Sequence, residues 1–247
     1  NSVDSIEDYA FSACSSLIEI TLPSSIKSIK RYCFSKCSSL TKINLPNQIE
    51  DIGNYSFNGC SSLKYISFPS SLLNISYCAF FGCASLLQIT IPNNVVSIGN
   101  HAFYKCESLS HISIPAHLIT IGKNAFINIV SIEITGDIIE IPDDLFLGCS
   151  SLKHISIPIS LTTIGNYSFS GCLSLCEIEI PPSVISIGRE AFSKCKSLST
   201  IKIPSSVVSI GDGAFSGCSS LTQIEIPSSV KSLEKKTFYE CISLIKV

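Results

Sequence analysis

The chain has no tryptophan and no methionine, and charged residues make up only 15% of its 247 positions. Its 17 Lys and Arg are offset by 19 Asp and Glu, so there is no basic field to gather phosphates. That excludes the electrostatic footprint of a nucleic-acid binder. Hydrophobic residues reach 45%, yet no stretch approaches the roughly 18 uninterrupted apolar residues of a membrane helix. The apolar content therefore belongs to a core rather than to a membrane-inserted segment. No CxxC pair occurs, which removes the compact tetrahedral metal spacing, and only four histidines are present to serve as bases. No apolar leader opens the chain and position 1 is Asn, so the expectation is a trimmed or processed piece of a longer protein.

What the chain does have is a period. Phe11, Phe34, Phe57, Phe80, Phe103, Phe126, Phe146, Phe169, Phe192, Phe215 and Phe238 lie 23 apart, except for one step of 20 between Phe126 and Phe146. A Cys follows three residues after the Phe in ten of these units, from Cys14 to Cys241, and a Leu three residues further on. Apolar residues then alternate with polar ones, as at Ile224 and Ile226, before a Pro such as Pro204 or Pro227. Period-two alternation predicts a short strand with one face buried, and Pro, lacking an N–H, stops each strand at the same level. A Gly recurs four residues before the Phe, as at Gly53, Gly99, Gly122, Gly165, Gly188 and Gly211, and predicts a turn that a Cβ would hinder. The segment through the Phe is short enough for one helical or 3₁₀ turn. One unit cannot offset its own ordering entropy, so the units must stack, each burying its neighbours. The expectation is a single domain, 1–247, of about eleven 23-residue units with one irregular 20-residue unit near 126–146.

Each unit, IGxxAFxxCxxLxxIxIPxxV, with its LxxIxIP core as in Leu198 to Pro204, resembles the BspA-like, or treponemal-type, leucine-rich repeats. The resemblance covers nearly the whole chain. It implies a right-handed, curved solenoid with a parallel sheet of about eleven short strands on one face, and short strands, turns and 3₁₀ or helical turns elsewhere. It also implies display at a cell surface and adhesion to host matrix or other cells, and the family brings no catalytic residues to carry over.

Thirteen cysteines open three chemical readings and one structural one. Catalysis would need a base beside each thiol, and His101, His111, His117 and His154 could serve few of ten copies. Disulfides between adjacent units have a suitable spacing, but side chains stacked in register point the same way. A buried column of neutral thiols, each reaching a carbonyl of the adjacent turn, fits the pattern best. Three cysteines fall off the column: Cys33 is expected to be buried, and Cys78 and Cys176 exposed.

The strand positions that point away from the core form two polar columns, the usual binding face of a solenoid. On them Tyr65, Gln88, His111, Glu133, His154, Glu177 and Glu179 are the candidate partner-binding residues, Glu177 and Glu179 forming an acidic patch. Tyr9, Tyr32, Tyr55 and Tyr167, two residues before the Phe, are expected to pack on one another rather than bind. Sequons at Asn54, Asn74 and Asn166 are no more than a Ser-rich chain produces by chance. In the irregular unit three residues are missing, the Cys slot is lost, Thr135 stands where Pro would be and Pro142 replaces the Gly. It reads either as a tolerated deletion or as a boundary between two halves. Both ends stop inside a unit, which predicts continuation of the chain or end-to-end self-association. The reading is a non-enzymatic module without cofactor or metal that binds a protein or extracellular-matrix ligand, at the cell surface or secreted. A cytoplasmic interaction scaffold is the alternative, favoured by the free thiols.

Overall fold

A computed structural model describes residues 3–247. The chain falls into two compact units, one ending at Ile129 and the other beginning at Val130, which is within the irregular repeat. In both units the chain winds in coils of 23 residues, and the strands pair in parallel.

In the first unit Glu19–Thr21 pairs with Lys42–Asn44, Ile20 opposite Ile43, and Ile89 pairs with Ile112. A second ladder joins Ser28–Ile29, Asp51–Ile52, Asn74–Ile75, Ser97–Ile98 and Thr120–Ile121, each to the next. In the second unit Ser131–Thr135 pairs with His154–Ser156, and a second ladder runs through Glu140–Ile141, Thr163–Ile164, Ser186–Ile187 and Ser209–Ile210. Parallel pairing with a constant offset of one coil places like residues on like, which explains why the apolar positions return at fixed spacing. Not every repeat forms a continuous strand after its Leu. Among the described residues several contribute single bridges, such as Tyr65 with Gln88, Glu179 with Lys202 and Thr200 with Gln223.

The phenylalanines form the central column. Phe34, Phe57, Phe80 and Phe103 are fully buried and stack nearly parallel at 5.1–5.4 Å, and Phe169, Phe192 and Phe215 repeat this at 5.3–5.6 Å. Leu40, Leu63 and Leu86, and Ile29, Ile52 and Ile75, fill the space between them and the two ladders. In the irregular repeat Ile129 takes over the lost Cys slot, buried and donating its N–H to Phe126 O at 3.0 Å.

The segment around each Phe is not helical. It is a chain of tight turns, for example Ser12 N to Tyr9 O, Cys14 N to Phe11 O and Leu17 N to Cys14 O. In the regular coils two left-handed residues interrupt any helix: one two residues before the Phe, as at Tyr32 (φ 55°), and one two after it, as at Lys36 (φ 60°). These residues and the Phe between them donate to the following coil, as in Tyr32 N to Asn54 O, Phe34 N to Ser56 O and Lys36 N to Asn58 O. The strand side donates to the preceding coil instead, as in Glu50 N to Lys27 O. Thus main-chain groups are paired on both sides of each coil.

The recurrent Gly serves a different purpose from the turn expected of it. Its φ is not positive; instead a Cβ at Gly53 would lie 2.7 Å from Ile29 O, and at Gly188 2.7 Å from Asn166 N. Close approach of adjacent coils, not turn geometry, selects it.

Candidate functional site

The thiol column is structural. Cys37, Cys60, Cys83 and Cys106 each point Sγ at the main-chain oxygen of the Phe one coil back, at 3.0–3.2 Å, and Cys195 and Cys218 do the same at 3.2 Å. Burial pushes these thiols up, Cys37 to about 11 and Cys106 and Cys218 to about 12, so they stay protonated and are poor nucleophiles. All thirteen cysteines are unpaired. Among the described residues no cluster of His, Cys, Asp and Glu is arranged to hold a metal ion.

The off-column cysteines need correction. Cys33 is buried as expected, but Cys78 is buried too, at 3% exposure, and Cys176 is half-buried. Cys78 takes the slot of the stacked tyrosines while Tyr77, one residue earlier, covers it. Conversely, Cys14 is exposed and Cys241 half-exposed, because each lies in an outermost coil of the described structure.

The tyrosines pack as expected: Tyr9 on Tyr32 at 4.8 Å and Tyr32 on Tyr55 at 4.6 Å, rings nearly parallel. The sequon asparagines turn out to be cross-coil clamps. Asn54 Oδ1 accepts from Tyr77 N, and Asn166 Oδ1 from Arg189 N at 2.8 Å while its Nδ2 donates to Asp143. Asn74 bridges Asp51 and Ser97. Asp8 and Asn100 clamp in the same way, onto Arg31 N and Lys123 N. The signal was present as an Asp or Asn three residues before the Phe in the Phe11, Phe57, Phe103, Phe146, Phe169 and Phe215 units.

The seven candidate residues divide between the two units. In the first, Tyr65, 61% exposed, sits in register with Gln88, and His111 is exposed at the start of its strand. In the second, Glu133 is exposed and in register with Ser156, and His154 is in register with Ser131. His154, Glu177 and Glu179 converge on one open groove of about 450 Å³, whose far wall is Thr200 and Lys202. Glu179 is the direct register partner of Lys202, so the groove carries an acidic wall and one cation opposite it. Thr200, Ile201, Lys202, Gln223, Ile224 and Glu225 continue it into a neighbouring depression of about 550 Å³. Thr200 and Lys202 lie on the columns visible in the sequence but had nothing to single them out. The arrangement can exchange hydrogen bonds and ion pairs with a partner; it holds no nucleophile with an adjacent base.

Residues 1–95, 32–152, 74–199 and 139–247 match the BspA type leucine-rich repeat region, a block of six copies. The fold is similar to that of a leucine-rich repeat protein from Bacteroides ovatus, 27% identical, covering 98% of this chain and 81% of that one with a TM-score of 0.58. A leucine-rich repeat protein of T. pallidum is 29% identical over 68% of this chain and 81% of its own, with a TM-score of 0.56. A leucine-rich cell surface protein of Faecalibacterium prausnitzii is 28% identical over 98% and 76%, with a TM-score of 0.51. No curated protein matches the chain in sequence. Among the described residues no helix is long and apolar enough to cross a membrane.

Proposed function

The chain belongs to the BspA-type leucine-rich repeat family, and from this premise we propose that it is a non-enzymatic binding module displayed at a cell surface. It engages a protein or extracellular-matrix partner through the outward strand columns. The observation that carries the reading is the groove of His154, Glu177, Glu179, Thr200 and Lys202, where exposed polar side chains stand on a scaffold whose main-chain groups are already paired. Such a face offers side chains alone, so specificity comes from hydrogen bonds and charge rather than strand addition. The likeness to a protein described as a cell surface protein supports the location. Tyr65 supplies the one large ring of the first unit's columns, the kind of residue that anchors an interface.

The test is a binding screen of the intact chain against matrix proteins, followed by Glu177→Lys with Glu179→Lys, and by Tyr65→Ala. Loss of binding by tenfold or more in either variant, with unchanged thermal stability, supports the strand face. A partner that binds all variants equally contradicts it.

A second reading, an interaction scaffold inside the cell using the same face, draws on the thirteen unpaired thiols, which suit a reducing compartment. Labelling intact cells with a membrane-impermeant amine reagent separates the two: modification supports display, and protection until lysis supports the scaffold.

A further inference from the structure

A recess on the turn side of the first unit, away from the strand columns, has no part in the reading above. In five of the eleven coils the residue after the core Phe is serine, at Ser12, Ser35, Ser170, Ser193 and Ser216. In four successive coils it is instead Asn58, Phe81, Tyr104 and Ile127. In the same coils the tyrosine stack breaks. Tyr9, Tyr32 and Tyr55 lie face to face, but Cys78 occupies the next slot and Tyr77, displaced by one residue, turns its ring 72° to Tyr55. The small thiol leaves a gap where a ring would stand, and the gap is the floor of a recess of about 480 Å³. Its walls are rings set at large angles: Tyr77 to His101 at 86°, and His101 to Tyr104 at 78°.

Three features define what would fit. First, no Asp, Glu, Lys or Arg lines the recess, so there is nothing to pair with a charged ligand. Lys105, at its edge, already places its Nζ 5.6 Å from the Phe81 ring, filling the one cation position next to it. Second, the coil N–H groups beneath are committed: Tyr55 N to Tyr77 O, Cys78 N to Asn100 O and His101 N to Lys123 O. An extended peptide would find no free main-chain edge. Third, the walls combine ring faces with hydrogen-bonding tips: phenol hydroxyls and the amides of Asn58 and Asn124. The Nδ1 of His101 is shielded and has no hydrogen-bond partner among the described residues; out of reach of a ligand, it leaves the imidazole to line the recess as a ring. A volume in the few-hundred Å³ range is that of a small-ligand site.

We propose that this recess, walled by Tyr55, Tyr77, Phe81, His101 and Tyr104 over Cys78, binds one ring of a neutral carbohydrate. A pyranose presents an apolar C–H face that packs on an aromatic ring and a rim of hydroxyls for the amides and phenols. The site stands independently of the strand-face reading, since no lining residue is shared.

The experiment uses the intact chain with N-acetylglucosamine, galactose and mannose and their short neutral oligosaccharides, followed by saturation-transfer NMR and tyrosine fluorescence. The protein has no tryptophan, so emission comes from its eight tyrosines. Saturable binding of at least one of these sugars is expected, weakened tenfold or more in Phe81→Ser and Tyr104→Ser. These variants restore the residue of other coils and so retain the fold, which an unchanged melting temperature verifies. Tyr65→Ala on the strand face should bind the sugar normally. The proposal is overturned if no neutral sugar binds at millimolar concentration, if tetramethylammonium or a peptide binds there in its place, or if binding survives both serine variants.

Discussion

The thiol of Cys195 donates to the main-chain oxygen of Phe169, 3.2 Å away and 26 residues back in the chain. The same oxygen also accepts from Cys172 N at 3.1 Å. The repeat thus ties each coil to the one before it through a neutral S–H, and losing that proton would leave a buried thiolate facing a carbonyl.

Alkaline pH should therefore unfold the protein. Thiols ordinarily ionise near 9.0, whereas burial holds Cys37 to about 11 and Cys218 to about 12. Below pH 9 folded and unfolded chains both keep these protons, so the stabilisation is fully present. Above it the unfolded chain binds fewer protons than the folded one, and stability falls as pH rises toward 12. The melting temperature is expected to be level from pH 7 to 8.5 and to drop beyond pH 9. Tyrosines titrate nearby, so a combined Cys83→Ala, Cys195→Ala and Cys218→Ala variant is the control. Its drop should be shallower than that of the parent; identical slopes would mean the thiols contribute nothing.

Two glycines with different constraints should respond differently to alanine. At Gly188 a Cβ would stand 2.7 Å from Asn166 N and from Gly165 C, main-chain atoms that cannot step aside. Gly188→Ala should cost well over the typical ~1 kcal/mol of a point substitution. Gly171 has a φ of 77° but nothing nearer than 3.6 Å, and Lys36 and Lys194 occupy its slot in other coils. Gly171→Ala should cost about 1–2 kcal/mol, the strain of a left-handed alanine. Urea midpoints at constant slope measure both.

Asn166 should be needed for stability, not for a glycan. It accepts from Arg189 N and donates to Asp143 Oδ2 at 3.0 Å, and Ser168 of its sequon is fully buried. Asn166→Ala is expected to destabilise by about 1–3 kcal/mol, since the Arg189 N–H loses its acceptor. Asn166→Asp, which keeps an acceptor for Arg189 but places a carboxylate against Asp143, should fall between the parent and the alanine variant. Equal stability of all three would show that the clamp has no weight.

Much of the fold was legible because the repeat reports its own register: Ile187 opposite Ile210 and Phe169 stacked on Phe192 follow directly from a spacing of 23. The backbone twist at each coil was not legible. The left-handed positions hold Tyr, Lys, Asn or Gly interchangeably, so no residue type marks them, whereas the conspicuous Gly marks close contact instead. The depth of Cys78 escaped because a one-residue displacement of Tyr77 decides it, and side-chain cover is not periodic. For the same reason the strand-face candidates could be named individually, but the convergence of His154, Glu177 and Glu179 on Lys202 required the fold.

The claim on which all this rests is that identical positions stack into columns, making the thiols interior filler. Brief alkylation of the native protein followed by mass spectrometry tests it most directly. The account predicts modification at Cys14, Cys176 and Cys241, with the ten buried cysteines reacting only after unfolding. Modification of Cys83, Cys172 or Cys195 in the folded protein would contradict it.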